Sequence, residues 1–225
     1  MNKLFFLLLS IFIILEANAQ SKKNIELNFL PMWHQEMAQA ETSLIENTDT
    51  IQFRTLKFYV SQIAFYQNDQ CVFTEKNSFH LIDCFENKNK IMLTVPEKII
   101  FNKVTYNIGI DSAAHANSKM TGDLDPLKGM YWTWQSGYIN VKMEGDFKNQ
   151  MGSTAFRYHL GGYRLTNNCM QRNEFKVSNQ QLIEIKLDVR QLCKGLPFQQ
   201  TPNIMSPGKV AVSLSKTFSD AFSKE

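Results

Sequence analysis

The chemistry open to this chain lies in four histidines, four cysteines and a stretch that holds two of its three tryptophans. That stretch, Gly129-Met130-Tyr131-Trp132-Thr133-Trp134-Gln135-Ser136-Gly137-Tyr138, follows the turn-rich Gly122-Asp123-Leu124-Asp125-Pro126. Read as one strand, its alternation puts Trp132, Trp134 and Ser136 on one face and Tyr131 and Thr133 on the other. Two indoles on one face are either a block of core or an electron-rich site for oxidation and metal chemistry. His34, His80, His115 and His159 come from separated segments, with no short ligand motif such as H-x-x-x-H. A site built from them has to be assembled across loops, as one end of a β-sandwich can do. Imidazole donors meeting Cu(II) in an oxidising compartment favour copper. Met32, Met120, Met130 and Met143 offer thioethers to Cu(I), or simply fill core. Asp111, Asp123 and Asp125 offer oxygens to calcium, although aspartate before proline is equally a turn initiator.

Catalytic signatures are missing. The sequence has no G-x-S-x-G elbow, no H-E-x-x-H helix and no Gly-rich phosphate loop. No pair of carboxylates is marked as facing across a cleft. The expectation is a protein that is not an enzyme.

Residues 1–19 read as an export signal: Lys3, the apolar run Leu4 to Leu15, then Ala17-Asn18-Ala19 for cleavage before Gln20. The apolar run is short for a bilayer span and lacks a stop-transfer flank. A periplasmic or secreted protein is expected, with residues 20–225 forming a single domain of ordinary size. Its formal charge of +3, without a Lys/Arg run, argues against nucleic acid as a partner. No further apolar segment is long enough to span a membrane. In that compartment Cys71, Cys84, Cys169 and Cys193 are disulfide candidates. Cys71–Cys84 and Cys169–Cys193 are the simplest of the three possible pairings.

The elements that must position these groups are mostly strands. Segments 25–30, 51–66, 79–84, 91–95, 103–111, 131–144, 155–159 and 182–189 are rich in β-branched and aromatic residues. Turn signals such as Asn68-Asp69, Pro96-Glu97 and Gly161-Gly162 separate them. The pattern predicts an all-β fold, a mostly antiparallel β-sandwich of short strands. One amphipathic helix is expected near the C-terminus, with Ser206 as N-cap and Pro207 at the first position. Val210, Leu214, Phe218, Ala221 and Phe222 would form its apolar face.

With these features in hand, the chain resembles the MbnP-like family of exported copper-associated proteins, in its Bacteroidetes-type branch. The resemblance rests on Leu56-Lys57-Phe58-Tyr59-Val60-Ser61, Phe79-His80-Leu81-Ile82-Asp83 and Ile108-Gly109-Ile110-Asp111-Ser112. It continues through 122–126, the double-tryptophan block, Tyr158-His159-Leu160-Gly161 and Ile204-Met205-Ser206-Pro207. The M-x-W-x-W-x-x-G-Y pattern is its most specific part.

The resemblance implies a protein that holds copper through histidine and a kynurenine, the latter made from tryptophan by a partner resembling di-haem peroxidases of the MauG/MbnH type. It implies Trp134 or Trp132 as the oxidised residue, with Trp134 favoured. It implies His159, in the H-L-G motif, as first ligand, His115 by a loose loop match, and His80 by its match to the Bacteroidetes-type branch alone. It also favours a Cys169–Cys193 bridge. The competing expectation is an exported interaction or ligand-binding module without metal, in which the Trp/Tyr block is core or a stacking platform.

Overall fold

A computed structural model of the protein describes residues 21–76, 79–117, 120–134 and 137–224. The expected export signal lies outside them. Among the described residues fifteen strands form: β1 (Lys22–Trp33), β2 (Glu36–Met37), β3 (Leu44–Glu46), β4 (Asp49–Gln67), β5 (Gln70–Thr74), β6 (Phe79–Asp83), β7 (Lys90–Pro96) and β8 (Lys103–Ile108). They continue as β9 (Tyr131–Trp132), β10 (Gly137–Asn149), β11 (Gly152–Gly161), β12 (Gln171–Lys176), β13 (Leu182–Asp188), β14 (Asn203–Ile204) and β15 (Phe222–Lys224). Three helices, α1 (Ser112–Asn117), α2 (Val189–Lys194) and α3 (Lys209–Asp220), complete the set.

The expected all-β sandwich is what forms. One sheet runs β15-β13-β1-β2, with β7 also on β1. The other runs β12-β8-β4-β10-β11-β14, with β3, β5 and β6 also on β4 and β9 on β10. Most pairings are antiparallel, but β1–β13 and β11–β14 are parallel. Not all the strands are short: β4 has 19 residues and β10 has 13. Between the sheets lies an aromatic core in which Phe29 meets Phe58 edge-on at 5.6 Å and Phe58 meets Phe218 of α3 at 5.3 Å.

Strand β4 organises the functional end because it is buried on both faces, so its sequence reads as a near-continuous apolar run. Phe58 and Val60 face the main core. Tyr59 points the other way, into a smaller cluster with Leu81, Ile110, Ala114, Leu124, Met130, Trp132, Tyr138 and Ile139. Ile110, Ala114, Leu124, Met130, Trp132 and Tyr138, from the stretch after β8 to the start of β10, build most of that cluster. Two hydroxyls suspend it: Tyr59 donates to the Asp123 carbonyl at 2.9 Å and Tyr138 to the Leu124 carbonyl at 3.1 Å.

Two expectations are corrected here. The helix α3 begins later than Ser206-Pro207, with Gly208 as its N-cap in extended backbone at φ 172°. That offset buries Ala211 and leaves Val210 half exposed at 50%. Phe222 is buried as expected, but as part of β15. The disulfides are absent: Cys71, Cys84, Cys169 and Cys193 are all free. Cys71 pairs opposite Tyr66 of β4, whereas the Cys84 N–H donates to the Leu56 carbonyl of the same strand. Those β4 positions are roughly 30 Å apart, against the ~4.4–6.8 Å between Cα atoms that a disulfide requires. Cys169 donates its thiol to the Gly161 carbonyl at 3.1 Å, while Cys193 is a buried residue of α2.

Candidate functional site

The double-tryptophan block is a hairpin, not the single strand its alternation predicts. Trp132 pairs with Gly137 and Tyr131 with Tyr138, so the chain reverses between them. The two indoles still lie side by side, with ring centroids 5.9 Å apart, but in opposite environments. Trp132 is 5% exposed and Trp134 is 65% exposed. Trp132 packs flat on Gly161 of β11, where a Cβ would stand 2.8 Å from its Cζ3. Its Nε1–H is buried with no acceptor.

His115 stands on the other side of Gly137. A Cβ on that glycine would lie 3.8 Å from His115 Nδ1, an ordinary contact, so the imidazole packs directly against the hairpin backbone. The ring stacks on Tyr163 at 4.2 Å and meets Tyr138 edge-on at 5.3 Å. Nδ1 accepts the Tyr138 backbone N–H at 3.3 Å, while Nε2 is buried without a partner. Burial pushes its pKa down to about 4 against the pull of Asp111, so the ring is neutral at pH 7. A buried polar atom left unpaired costs about 1–3 kcal/mol. An imidazole whose Nε2 is unpartnered and an indole whose Nε1–H is unpartnered, both at this hairpin, therefore form an incomplete constellation.

His159 is on β11 two positions before Gly161, and so on the same face by strand alternation, about 7 Å along the strand. Its Nε2 is 2.7 Å from Glu144 Oε1, and Lys142 Nζ is 3.7 Å from the same oxygen. Burial lowers the His159 pKa despite the hydrogen bond it donates to Glu144. Burial raises Glu144, but the hydrogen bond to His159 and the Lys142 charge outweigh it and the carboxyl is lowered. The pair is then a neutral imidazole donating Nε2–H to a carboxylate, which leaves Nδ1 as the ring's lone-pair nitrogen.

His80 belongs elsewhere. It pairs opposite Val60 on β6 and holds Glu75 Oε2 at 2.8 Å. The next residue, Leu81, is the one that packs with Trp132, so alternation turns His80 away from that cluster. His34 lies beside Trp33 at the end of β1, with its backbone at φ 55°. His115 thus lies against the tryptophan hairpin, His159 one same-face position along β11 from the glycine under Trp132, and His80 and His34 elsewhere. Among the described residues no three His, Cys, Asp or Glu groups are placed to hold a metal ion. The expected His80–His115–His159 set does not close.

The acidic residues serve the scaffold. Asp111 accepts the Ala114 N–H at 2.8 Å and starts α1; Asp123 takes the Leu81 N–H at 2.9 Å and Lys128 Nζ at 2.5 Å. Asp125 caps the turn at Pro126–Lys128 through the Leu127 N–H. Sequence reasoning singled out Tyr138 as part of the tryptophan block but missed Tyr163 and Glu144. Only the glycine pair Gly161-Gly162 signalled a close approach, since Gly162 is at φ 135° and Gly161 lies under an indole.

A family model described as MbnP matches residues 22–206. A search of curated proteins finds no match. Among solved structures, MbnP from Methylosinus trichosporium superposes with a TM-score of 0.63, covering 85% of this chain and 87% of that one at 10% identity. At that identity the likeness is one of fold.

Proposed function

The chain belongs to the MbnP family, and from that premise we propose that it is an exported, non-enzymatic copper-binding protein whose site centres on Trp132 and His115. The observation that carries this reading is the pair of buried nitrogens without partners, His115 Nε2, whose ring lies against Gly137, and Trp132 Nε1, on the residue that pairs with that glycine. The donor set suits copper, which accepts imidazole and aromatic amine nitrogens. Coordination at His115 Nε2 requires the Nδ1–H tautomer and gives up the Tyr138 bond, which at 3.3 Å is a weak one. His159 offers Nδ1, oriented from behind by Glu144 in the manner of carboxylate–histidine pairs at metal sites.

Two nitrogens from histidine leave the set incomplete, and oxidised tryptophan is the natural third. Oxidative opening of an indole, with peroxide as the oxidant at the peroxidase and C2 leaving as formate after hydrolysis, would convert its poorly coordinating N–H into an aromatic amine. Burial moves the choice of residue from Trp134 to Trp132, because an amine at Trp132 is released inside the cage and one at Trp134 into water. Trp134, exposed beside it, is the point at which an external di-haem peroxidase of the MauG/MbnH type makes contact.

The test is co-expression with such a peroxidase, followed by intact mass, peptide mapping and copper titration. A mass change at Trp132 and near-stoichiometric copper that is lost in His115→Ala support the reading. No bound copper, together with unmodified Trp132 and Trp134, sinks it. The second reading, an interaction module without metal, draws on the lack of a three-group cluster and on exposed apolar side chains nearby, Trp134 at 65% and Leu127 at 93%.

A further inference from the structure

A cavity of about 270 Å³ opens at the other end of the sandwich. Trp132 pairs at the start of β10, and Phe147, which lines the cavity, lies roughly 30 Å further along that strand. The two places share no residue.

One wall is aromatic. Trp33 contributes an indole from the end of β1, and Phe198 a ring held from behind by Phe147 in a parallel stack at 4.8 Å and 4°. The other wall is polar and rigid. Arg190 of α2 donates Nε at 2.7 Å and Nη2 at 2.6 Å to the two carboxylate oxygens of Glu46, a fork that ties the helix to β3. Asp49, Lys194 and Gln199 continue this wall. Behind the lining, the Tyr158 hydroxyl is buried without a partner, its ring 6.2 Å from that of Phe198.

Charge, shape and hydrogen-bonding geometry narrow the occupant. Two carboxylates face one guanidinium and one ammonium, so the cavity carries no net charge and offers a phosphate or a polyamine no advantage. Carboxylate, guanidinium and amide groups are planar with paired donors or acceptors, which match adjacent hydroxyls on a ring. An indole face covers the C–H face of a saturated ring and keeps its polar edge free. The volume falls just below that of drug-sized ligand sites, which leaves room for one six-membered ring with its substituents. Cys193 also lines the cavity, but burial and the Asp188 charge push its thiol far up, so it is no nucleophile.

We propose that this cavity is a binding subsite for a neutral pyranose sugar, taken as a terminal unit of a glycan, with Trp33 as the stacking platform and Asp49, Gln199 and the Glu46–Arg190 fork reading the hydroxyls. The sugar is bound and released unchanged.

The experiment is saturation-transfer NMR on the exported full chain. The probes are the methyl glycosides of glucose, galactose, mannose and N-acetylglucosamine, with glucuronate and glucosamine as charged counterparts. Transfer to at least one neutral glycoside is expected, with a Kd of about 1–10 mM. Binding should weaken at least tenfold in Trp33→Ala and in Gln199→Ala, while the behaviour of the Trp132 end is unchanged. Gln199→Ala removes only an exposed side chain, so it keeps the test open if Trp33→Ala fails to fold. No transfer from any neutral glycoside overturns the proposal. So does equal transfer in the folded variants, or a preference for either charged sugar.

Discussion

Replacing Gly161 with alanine tests whether the packing of Trp132 on β11 is what builds the site. The new Cβ would stand 2.6 Å from the Tyr138 carbonyl oxygen, 2.8 Å from Trp132 Cζ3 and 3.0 Å from Cη2. Carbon contacts are comfortable at about 3.5–4.0 Å, so something has to shift by close to 1 Å. The Tyr138 carbonyl belongs to backbone fixed by the hairpin, whereas the indole has no hydrogen bond holding it. Both the strand backbone and the indole then have to give, and the unanchored indole gives more. Overpacking of this kind costs about 1–3 kcal/mol. For a chain of this size each kcal/mol lowers Tm by roughly 2–4 °C, so a fall of about 2–12 °C is expected. Gly208→Ala is the matched control: nothing lies within 4 Å of its Cβ and its backbone is extended. It should be neutral, or more stable by up to about 1 kcal/mol through the unfolded state. The assay is thermal unfolding with tryptophan emission, followed by copper titration of the peroxidase-treated protein. Gly161→Ala should melt lower, emit further to the red and bind copper more weakly. A wild-type melt with unchanged emission refutes the packing argument, and a lowered melt with wild-type copper affinity refutes the role of Trp132.

Three further outcomes are expected. Without reductant, a thiol reagent should add once to the native chain, at exposed Cys71, and four times after denaturation, because Cys84, Cys169 and Cys193 are free and buried; a denatured count of two or none would restore the disulfides. Glu144→Gln should cost about 1–3 kcal/mol by weakening a charge-assisted bond to His159, read as a lowered urea midpoint at unchanged slope. Glu46 has its pKa lowered from 4.5, first by its hydrogen bond to Arg190. A depressed carboxylate contributes stability that is complete above its unfolded pKa and is lost as pH falls through the folded one. Glu46→Gln should therefore be less stable than wild type at pH 7, with the gap closing below pH 4.5; a gap that persists in acid would show that the ion pair is not its source.

Strand content was legible because alternation and β-branched runs are local properties: eight expected segments from Ile25 to Val189 all fall on strands or begin within them. The short edge pieces β2, β3, β14 and β15 were not, since a strand of two or three residues exists only by virtue of the neighbour it pairs with. The same holds for β12, Gln171 to Lys176, whose polar sequence gives little sign of a strand and which is held by β8. The parallel pairing of β1 with β13 is equally a matter of chain path.

The sequence by itself determined that the tryptophans, the H-L-G histidine and the loop histidine are present, in an order typical of one family, on a β-rich chain. Which of them meet was decided only in three dimensions. A hairpin between Trp132 and Gly137 buried one indole and exposed the other, and its Tyr138 N–H took His115 as acceptor. Strand alternation sent His80 away, and the length of β4 kept Cys71 from Cys84. Residue type is local, but proximity depends on register, on reversal of the chain and on which side chains are missing, and these are fixed by the packing of the whole.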